Sequence, residues 1–572
     1  MTGHLSAGPQ TGPGQRVIVV GAGPVGCAAA LLLADFGVPV TLLERRAEPY
    51  SLPRAVHLDD ETARILARVG IADGFLARSR SCSGLRLLDA GHRVMAEFRR
   101  ERRPSVHGFP QANMFHQPEL EELMLARVGT HPLIAFRRGA EVVGLGGALG
   151  PVTPAPVQVT AYLAETQSAE TFTGCLLLGC DGANSKVREL AGITMKDLGF
   201  TERWLVVDVR AVAGLDAWDG VEQVCDPARA ATFMQVTGNR YRWEFQLRDS
   251  EDETSLTTAQ TLGRLLQPWT GRSDLDGLEI IRSATYIFRA QVASSFRAGR
   301  AFLLGDAAHL TPPFIGQGLA SGLRDADNLA WKIAHVLTGQ AREDLLSSYE
   351  TERRAHATAM VRKALLVGWA MTGGQDRAAA VRRAVLAVAV RSARIRDAIA
   401  STATPRLRSG ALQRTRPLAM TCKPRWLRIG GLMPNPLVHS GQGPPVRLDT
   451  VLKGRTAVLT AGQPGAELVD LCRRHRLLLI KVSTAAPAAN TGQAAQPSTA
   501  ASGWLDVHLV ADGEADRMHG ITSHPDISIL VRPDGVIAAL SVQSRPPRLP
   551  WNIPAAVPAA ACRSPGRGQA SL

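Results

Sequence analysis

The sequence has few of the features that mark a membrane, secreted or metal-binding protein. No apolar run approaches the ~20 residues that a membrane-spanning helix needs, and residues 1–15 lack the basic start and apolar core of a signal peptide. The eight cysteines are scattered, without a Cys-x-x-Cys pair or a Cys/His cluster at zinc spacing. These absences predict a cytoplasmic protein that binds no metal and whose thiols are reduced and mostly buried.

Acidic residues are scarce in one segment. Residues 377–428 contain twelve arginines and one lysine but a single acid, Asp397. This segment therefore carries a net charge of +12, out of +14 for the whole chain. Such a segment can contact nucleic acid, an acidic carrier or a membrane surface. No zinc finger, helix-turn-helix or aromatic stacking pattern accompanies it, so a solvated basic face is favoured and no nucleic-acid partner is predicted.

The composition is otherwise that of a soluble globular protein. Of the 572 residues, 45% are hydrophobic and 20% are charged, which are ordinary values for such proteins. The chain is long enough for two to four domains of about 100–200 residues each.

The first motif is a dinucleotide-binding fingerprint. Residues 16–20 predict a strand, and three glycines at G-x-G-x-x-G spacing lead into an apolar helix and a second strand that ends in Glu44. Gly21 permits the tight turn, Gly23 lets the backbone reach a pyrophosphate, and Gly26 lets helix and strand pack. Glu44 is placed to bind a ribose hydroxyl. The pattern predicts a nucleotide site without distinguishing FAD from NAD.

Two further buried strands each deliver an aspartate into a turn. Residues 176–179 lead to Asp181, at the start of a helix, and residues 301–304 lead to Asp306. A carboxylate at a strand end can accept hydrogen bonds from ligand hydroxyls. Each pattern is common by itself, and only their combination is specific.

The segment after Asp306 combines a stiff turn with a helix start. Residues 312–318 contain two prolines and two glycines, so one side of the backbone is open to close approach by a flat ligand. The amide groups near Leu319 and Ala320 begin a helix without intrahelical partners, which favours a negative charge there.

Short alternating segments between residues 204 and 288 predict an antiparallel sheet. Within residues 242–246, Arg242 and Glu244 share one face, while Trp243 and Phe245 share the other. One of these faces is expected to line a substrate cavity, although packing within the sheet would explain either.

These motifs resemble, in order and spacing, those of the class A flavoprotein aromatic hydroxylases, the para-hydroxybenzoate and phenol hydroxylase fold. Within that group the chain looks most like the 3-(3-hydroxyphenyl)propionate hydroxylases. The segments that support this second resemblance are residues 53–56, 59–61, 204–208, 225–227 and 242–245. The resemblance covers about residues 15–365.

The resemblance implies an α/β fold with three domains. An FAD-binding Rossmann-like domain would comprise residues 16–200 and 291–395, with an antiparallel-sheet substrate domain, residues 201–290, inserted between them. A basic linker, residues 396–440, would lead to a thioredoxin-like C-terminal domain at residues 441–543. Residues 1–15 and 544–572 are predicted to be disordered. Cys472 stands alone in the C-terminal domain, which excludes a dithiol redox role.

The resemblance also assigns site residues. Those implied to bind FAD or the passing nicotinamide nucleotide are Gly21, Gly23, Pro24, Gly26, Glu44, Arg45, Arg54, Gln117, Asp181, Gly182, Arg188, Gly305, Asp306, Pro313, Gly316, Gln317, Gly318, Leu319 and Ala320. The candidates for substrate binding and catalysis are Arg54, Gln235, Arg242, Glu244 and Pro313.

The implied reaction is aromatic hydroxylation. NAD(P)H would reduce FAD, O2 would add at flavin C4a, and the hydroperoxide would attack a phenolic ring of a phenylpropanoid acid or a polyketide-type phenol. Epoxidation or Baeyer–Villiger insertion on a polyketide is the main alternative. A flavin dehydrogenase or halogenase is less favoured, because no W-x-W-x-I-P motif is present. A non-catalytic flavin-binding scaffold is the weakest alternative. A homodimer is possible, and the choice between NADH and NADPH stays open.

Overall fold

The computed structural model forms two compact units. The first contains the described residues of Met1–Leu337 and Leu346–Gly410, and the second those of Thr338–Leu345 and Ala411–Leu572. The described residues are 16–49, 54–101, 103–147, 156–248, 250–251, 256–372, 404–412, 426–440, 443–484, 503–510, 518–522, 524–542, 546–547 and 550–551. The predicted tails, residues 1–15 and most of 544–572, and most of the basic segment lie outside this set.

A six-stranded sheet forms the centre of the first unit. Its order is β18-β19-β12-β1-β2-β8, and all neighbours are parallel except β18 and β19. The strands are β1 Val17–Val20, β2 Val40–Glu44, β8 Ile134–Arg138, β12 Leu176–Gly179, β18 Arg297–Ala298 and β19 Ala301–Leu303. β1, β12 and β19 are fully buried apolar runs, as expected of parallel strands covered on both faces.

Among its described residues, the first unit has seven helices before residue 338. They are α1 Pro24–Asp35, α2 Asp60–Arg68, α3 Ala72–Arg78, α4 Gln117–Thr130, α5 Lys186–Leu190, α6 Ala259–Thr270 and α7 Gly318–Leu337, and α8 Asp344–Thr372 follows. α1 packs against α4 and α7. It begins with Pro24, whose missing N–H costs nothing in a first turn. These helices confirm those predicted after the fingerprint, at Asp181 and after Gly316.

The second large sheet has eight strands in the order β20-β17-β13-β16-β15-β14-β5-β6. The strands are β5 Gly84–Leu88, β6 Val94–Arg99, β13 Met195–Ala211, β14 Val221–Val224, β15 Ala231–Gln235, β16 Arg240–Gln246, β17 Leu278–Ala293 and β20 His309–Leu310. The sheet extends beyond the predicted residues 201–290, because β14 joins it in parallel to β5 from far upstream. β13 and β17 are also longer than predicted and pair along most of their length.

The two faces of this sheet separate as the alternation in residues 242–246 predicts. Trp243 and Phe245 belong to an apolar core that also includes Phe233, Tyr241 and residues of α6. The face bearing Arg242 and Glu244 points away from that core and towards the flanking turns. Two three-stranded sheets complete the unit: β9 Ala140–Gly147, β10 Val157–Leu163 and β11 Ser168–Gly174, and β3 His57–Asp59, β4 Arg80–Ser81 and β7 Ala112–Met114.

The second unit is built on a seven-stranded sheet in the order β22-β21-β25-β24-β23-β26-β27. Its elements are β21 Leu437–His439, β22 Val446–Arg447, α9 Leu448–Leu452, β23 Ala457–Thr460, α10 Ala466–Arg474, β24 Leu478–Ser483, β25 Leu505–Leu509, α11 His519–Thr522, β26 Ile527–Val531 and β27 Ile537–Val542. The parallel strands β23 and β24 with α10 between them, followed by the antiparallel hairpin β26 and β27, lie within the predicted C-terminal domain. The sheet begins before the predicted boundary at residue 441, because β21 already pairs with β22 and β25.

Candidate functional site

The three predicted turns line one cavity of about 1260 Å³ in the first unit. This exceeds the ~300–1,000 Å³ of an ordinary small-ligand pocket. The predicted cofactor residues in its wall are Gly21, Gly23, Pro24, Glu44, Arg45, Arg54, Gln117, Asp181, Gly182, Asp306, Pro313, Gly316, Gln317, Gly318 and Leu319. Turns that lie more than a hundred residues apart in the chain therefore meet at one site.

The fingerprint glycines are enforced by neighbouring backbone. Gly21 has φ +98°, and a Cβ there would lie 2.5 Å from the carbonyl oxygen of Cys180. A Cβ on Gly26 would lie 1.8 Å from the carbonyl oxygen of Gly21, so only glycine lets the helix pack this closely against the turn. Gly26 itself does not line the cavity. At Gly23 no atom stands within 4 Å of the Cβ position. The backbone there is open to a ligand.

Glu44 ends β2 beside this turn. One carboxylate oxygen accepts from the Ala22 amide at 2.8 Å, and the other accepts from the Arg46 amide at 3.0 Å. These bonds fix the carboxylate in the cavity wall next to the open backbone of Gly23.

The second turn places backbone, not its aspartate side chain, towards the cavity. The Asp181 carboxylate accepts from the Ser185 hydroxyl at 2.6 Å and from the Val187 amide at 3.0 Å, which caps α5. Arg188 donates to the carbonyl oxygens of Ala307 and Ala183 at 3.0 and 2.8 Å. Arg188 is therefore not in the cavity wall, contrary to its predicted ligand role, because its guanidinium ties the second turn to the third.

The third turn is held by a buried carboxylate that the sequence reasoning missed. Asp325 of α7 accepts from the Gly305 amide at 3.0 Å, lies 2.8 Å from His309 Nε2, and accepts from Arg353 Nε at 2.7 Å. Burial opposes its ionisation, but Arg353 and His309 outweigh that effect and lower its pKa. Gly305 is thereby fixed outside the cavity wall.

Asp306, next along the chain, opens into the cavity. Its side chain is exposed to the cavity, and desolvation by the surrounding protein raises its pKa against the weaker opposing effects of His309 and Arg54. No hydrogen bond or ion pair occupies its side chain within the described chain. It is therefore available to a ligand.

The Gly316–Gly318 turn is anchored through side chains that point away from the cavity. Gln317 Nε2 donates to Asp59 Oδ2 at 2.9 Å, and Arg324 donates to the same oxygen at 2.6 Å and to Gln317 Oε1 at 3.0 Å. Arg324 also pairs with Glu61. Gln317 therefore contributes backbone to the wall, while its side chain is a structural link.

Helix α7 begins directly after this turn. The Ser321 amide donates to the Gln317 carbonyl at 2.9 Å as the first bond of the helix. Leu319 lies in the cavity wall, but Ala320 is fully buried and does not. The start of the helix faces the cavity as predicted. The residues that line it are Gly318 and Leu319, where the prediction was Leu319 and Ala320.

Gln117 fixes the loop that carries Arg54. Its Oε1 accepts from the amides of Ala55 at 2.6 Å and Arg54 at 3.2 Å, and its Nε2 donates to Glu121 at 2.6 Å. Pro53, which precedes Arg54 in the segment 53–56 that supports the family resemblance, lies outside the described residues.

The sheet supplies the opposite wall. Arg242 donates to both Asp208 oxygens at 2.7 and 3.1 Å and to the Arg54 carbonyl at 2.6 Å. Glu244 lies 3.9 Å from Arg242 Nη1, and burial raises its pKa although Arg242 opposes the shift. Arg242 is thus committed to neighbouring groups, whereas Glu244 is not hydrogen-bonded within the described chain.

Gln235 is not in the cavity wall, and its predicted catalytic role is not supported. Thr232 and Met234 of β15 line the cavity, so strand alternation turns Gln235 to the other face. Its amide donates to the Gly238 carbonyl at 2.7 Å.

Aromatic rings close the space beside Pro313. The Phe314 ring lies 6.0 Å from that of Trp204, which lies 6.4 Å from Phe288, and Phe288 stacks on Tyr286 at 6.2 Å. The sequence reasoning did not select Phe314, Tyr286, Arg282, Arg100 or His57 as site residues. Of these five residues, only Phe314 had a feature in the sequence that could have marked it as a site residue, because it directly follows two prolines.

The chemistry of the wall fits a dinucleotide together with a flat organic molecule. Open glycine backbone at Gly23, Gly182 and Gly318 suits phosphates and a planar ring, and Asp306 and Glu44 suit hydroxyl groups. Within the described ranges, no group of His, Cys, Asp and Glu side chains is arranged to hold a metal ion. Among the described helices, none has the length and apolar character needed to cross a bilayer.

Known proteins share both sequence and fold with this chain. A family model described as FAD binding domain matches residues 15–364. The 3-(3-hydroxy-phenyl)propionate/3-hydroxycinnamic acid hydroxylase 2 of Burkholderia vietnamiensis is 38% identical over 347 residues, which span 60% of this chain and 61% of that protein. A 3-(3-hydroxy-phenyl)propionate/3-hydroxycinnamic acid hydroxylase of Mycolicibacterium smegmatis is 30% identical over 541 residues, covering 93% of this chain and 92% of that one.

A solved structure extends the likeness to the fold. The flavin-dependent monooxygenase PieE, in complex with FAD and substrate, aligns with a TM-score of 0.75 at 22% identity, covering 94% of this chain and 98% of that one. At this identity the match supports the fold alone. The fingerprint, the two aspartate turns and the family match over residues 15–364 agree, and the chain belongs to the FAD binding domain family.

Proposed function

We propose that this protein is an FAD-dependent monooxygenase that uses NAD(P)H and O2 to hydroxylate a phenolic ring. The observation that carries the proposal is the meeting of the three turns at a cavity whose opposite wall is aromatic and carries Glu244, an acid whose carboxylate accepts no hydrogen bond from the described residues. When bound, FAD supplies the acceptance of hydride from the nicotinamide and the activation of O2, which side chains cannot perform.

The residues around the fingerprint would bind the nucleotide part. The amides near Gly23 would face the pyrophosphate, and Glu44 and Asp306 would accept from hydroxyl groups of the cofactor. Arg45, Arg54 and Gln117 line the same region. The Gly316–Gly318 turn and the start of α7 would lie against the ring, where the helix dipole favours negative charge.

The sheet wall would bind the substrate. Trp204, Phe288 and Phe314 offer apolar surface for an aromatic ring and exclude water around it. Glu244, whose pKa burial raises, is suited to exchange a proton with a substrate hydroxyl. Arg242, held by Asp208, would keep the acid in place without reacting itself.

The substrate class follows from the named relatives and the cavity. A phenylpropanoid acid is favoured, because the two relatives with 38% and 30% identity carry the names of phenylpropionate and hydroxycinnamate hydroxylases. A larger polyketide-type phenol is the second candidate, favoured by the volume of about 1260 Å³. The alternative reactions, epoxidation and Baeyer–Villiger insertion, would be recognised by the structure of the product.

The test begins with cofactor binding. The purified protein should be yellow or become so with added FAD, and Asp306→Ala should lose most of its FAD while remaining folded. Asp197→Asn, on an exposed part of β13, serves as the control and should retain FAD. An Asp306→Ala protein with wild-type flavin occupancy would contradict the assignment of this carboxylate.

Turnover is tested separately. Phenolic acids and polyketide phenols should stimulate NAD(P)H consumption, and mass spectrometry should find products that have gained one oxygen atom. A hydroxylated ring supports the proposal, whereas an epoxide or lactone supports the alternative. Consumption that yields only hydrogen peroxide with every phenol would contradict the hydroxylase function.

The second unit is proposed to be thioredoxin-like. The parallel pair β23 and β24, joined by α10 and flanked by the antiparallel hairpin β26 and β27, supports this. Cys472 is buried, which raises its pKa to about 12, so a structural role is proposed for it. Cys472→Ser should leave turnover unchanged.

A homodimer and a cytoplasmic location also stay predictions. Light scattering of the purified protein tests whether it is a homodimer.

A further inference from the structure

The positively charged side chains on the substrate side of the cavity differ in their partners. Arg242 is held by Asp208 through two hydrogen bonds. Arg282 lies 3.9 Å from Asp208 and contacts the Tyr286 hydroxyl. These two guanidinium groups are therefore balanced by a neighbouring carboxylate. Arg100 is not balanced in this way.

Arg100 follows β6 and lines the cavity beside the Gly316–Gly318 turn. Its backbone amide donates to the Ser83 carbonyl at 2.9 Å, which fixes the position of the residue. Its Nη1 lies 3.4 Å from His57 Nε2. No carboxylate of the described chain stands within ion-pairing distance of its guanidinium.

The acids nearest to Arg100 are engaged elsewhere. Asp59 accepts from Arg324 and Gln317, and Asp60 accepts from the Ser105 hydroxyl at 2.5 Å. Burial lowers the pKa of Arg100, and Asp59 and Asp60 compensate only in part. A buried cation without a hydrogen-bonded counter-ion is costly, and an anionic ligand would relieve that cost.

His57 lies beside Arg100 as a neutral polar group. Burial and then the charge of Arg100 lower its pKa to about 4, so it is neutral near pH 7. Its ring packs beside Gly316, where an added Cβ would lie 3.0 Å from Nδ1. His57 thus connects Arg100 to the turn against which the cofactor ring would lie.

The position of Arg100 suits an elongated ligand. Arg100 follows β6 at one edge of the eight-stranded sheet, and β5, β14 and β15 lie between β6 and β16, which carries Glu244. Four strand spacings correspond to ~19 Å between the backbones of β6 and β16. A molecule with a phenol at one end and an acid at the other can reach both residues through their side chains.

We propose that Arg100, with His57 beside it, binds the carboxylate of an anionic phenolic acid and so selects this substrate class over neutral phenols. The inference rests on the proposed hydroxylase function, which it makes more specific. A guanidinium offers two parallel N–H donors to a carboxylate, which fixes orientation as well as charge. The phenol end would then lie towards Glu244 and the aromatic wall.

The test compares charged and neutral forms of one molecule on the FAD-loaded protein. 3-(3-Hydroxyphenyl)propionate and its primary amide are titrated against the flavin absorbance spectrum, and KM and kcat are then measured for both. Arg100→Gln should raise Kd and KM of the acid about 10- to 100-fold, equivalent to about 1.4–2.7 kcal/mol. Values for the amide should change less than about twofold. Arg100→Lys should retain part of the preference for the acid.

Arg210→Gln is the matched control. This exposed arginine on β13 pairs with Glu279 and is not in the cavity wall, and its loss should leave the ratio of acid to amide affinity unchanged. The proposal is overturned if Arg100→Gln weakens acid and amide equally, if it weakens neither, or if the wild type does not prefer the acid. A wild type that prefers the acid in the titration yet forms no oxygenated product would contradict only the hydroxylase function.

Discussion

The carboxylates around the cavity fall into two groups. Asp59, Asp208 and Asp325 each accept from an arginine and hold backbone or neighbouring side chains in place. Asp306 and Glu244 accept no hydrogen bond from an arginine of the described residues, and desolvation by the surrounding protein raises the pKa of both. The hydrogen-bonded acids therefore build the site, and the other two are the ones available to ligands.

This distinction predicts the behaviour of Glu244→Gln. Removing a proton acceptor should lower kcat about 10²- to 10⁴-fold, with little change in KM or in FAD content. In the wild type, kcat should fall as the pH drops below the raised pKa of Glu244, since a protonated acid cannot accept, and the variant should lose this limb. The readout is the pH profile of kcat.

Glu279→Gln provides the control for this variant. Glu279 is an exposed acid on β17 paired with Arg210, and its loss should leave the profile unchanged. A Glu244→Gln enzyme that kept the wild-type profile would show that another group handles the proton.

At the scale of elements, hydrogen bonds join the start of α2 to the Gly316–Gly318 turn and to α7, which follows that turn. Asp59 caps α2 by accepting from the Thr62 amide at 2.9 Å, and its other oxygen binds Gln317 and Arg324. Burial would raise the pKa of Asp59, but Arg324 and then Gln317 hold it well below its usual range. One carboxylate thus fixes a helix start and the cofactor-facing turn.

Breaking this link should loosen the cofactor site. Arg324→Met leaves the buried Asp59 charge without its cation, and the loss of one partner of a buried pair typically costs about 3–5 kcal/mol. We expect a lower Tm and weaker FAD binding, measured by thermal unfolding with and without excess FAD.

Arg78→Met is the surface counterpart, since Arg78 pairs with Glu122 on exposed parts of α3 and α4. Such pairs contribute about 0–1 kcal/mol, so little change is expected. Equal losses in the two variants would refute the special role of the Asp59 link.

At the scale of the whole molecule, one buried acid couples stability to pH. Burial, reinforced by Asp59 and Glu61, raises the pKa of Asp60 to about 7, above the ~3.9 of an unfolded chain. The folded state therefore binds this proton more tightly. Its contribution to stability is complete below about pH 4 and is lost as pH rises through 7.

Asp60→Asn should accordingly stabilise the protein at pH 8 and have little effect at pH 4. The gain has an upper limit of about 4 kcal/mol, since each pH unit between the two pKa values contributes about 1.4 kcal/mol. Denaturant unfolding at the two pH values measures it, with the exposed Asp73→Asn as control. A stability difference that did not depend on pH would contradict the assigned pKa.

Local rules accounted for much of this architecture. Glycine spacing and apolar runs predicted β1, α1, β12 and β19 and the turns between them, because backbone conformation and burial of short segments depend on neighbouring residues. Alternation correctly separated Arg242 and Glu244 from Trp243 and Phe245. The same rule, had it been extended to β15, would have excluded Gln235.

The sequence by itself determined the cofactor-binding turns, since G-x-G-x-x-G and the two strand-end aspartates each impose a local geometry. Only the tertiary structure decided which charges would be paired. The Asp59 link joins residues 258 and 265 positions apart. That no carboxylate of the described ranges stands within ion-pairing distance of Arg100 depends on the packing of β3, β6 and α2. Pairing across such distances follows from how the sheets and helices pack, and no spacing along the chain encodes it.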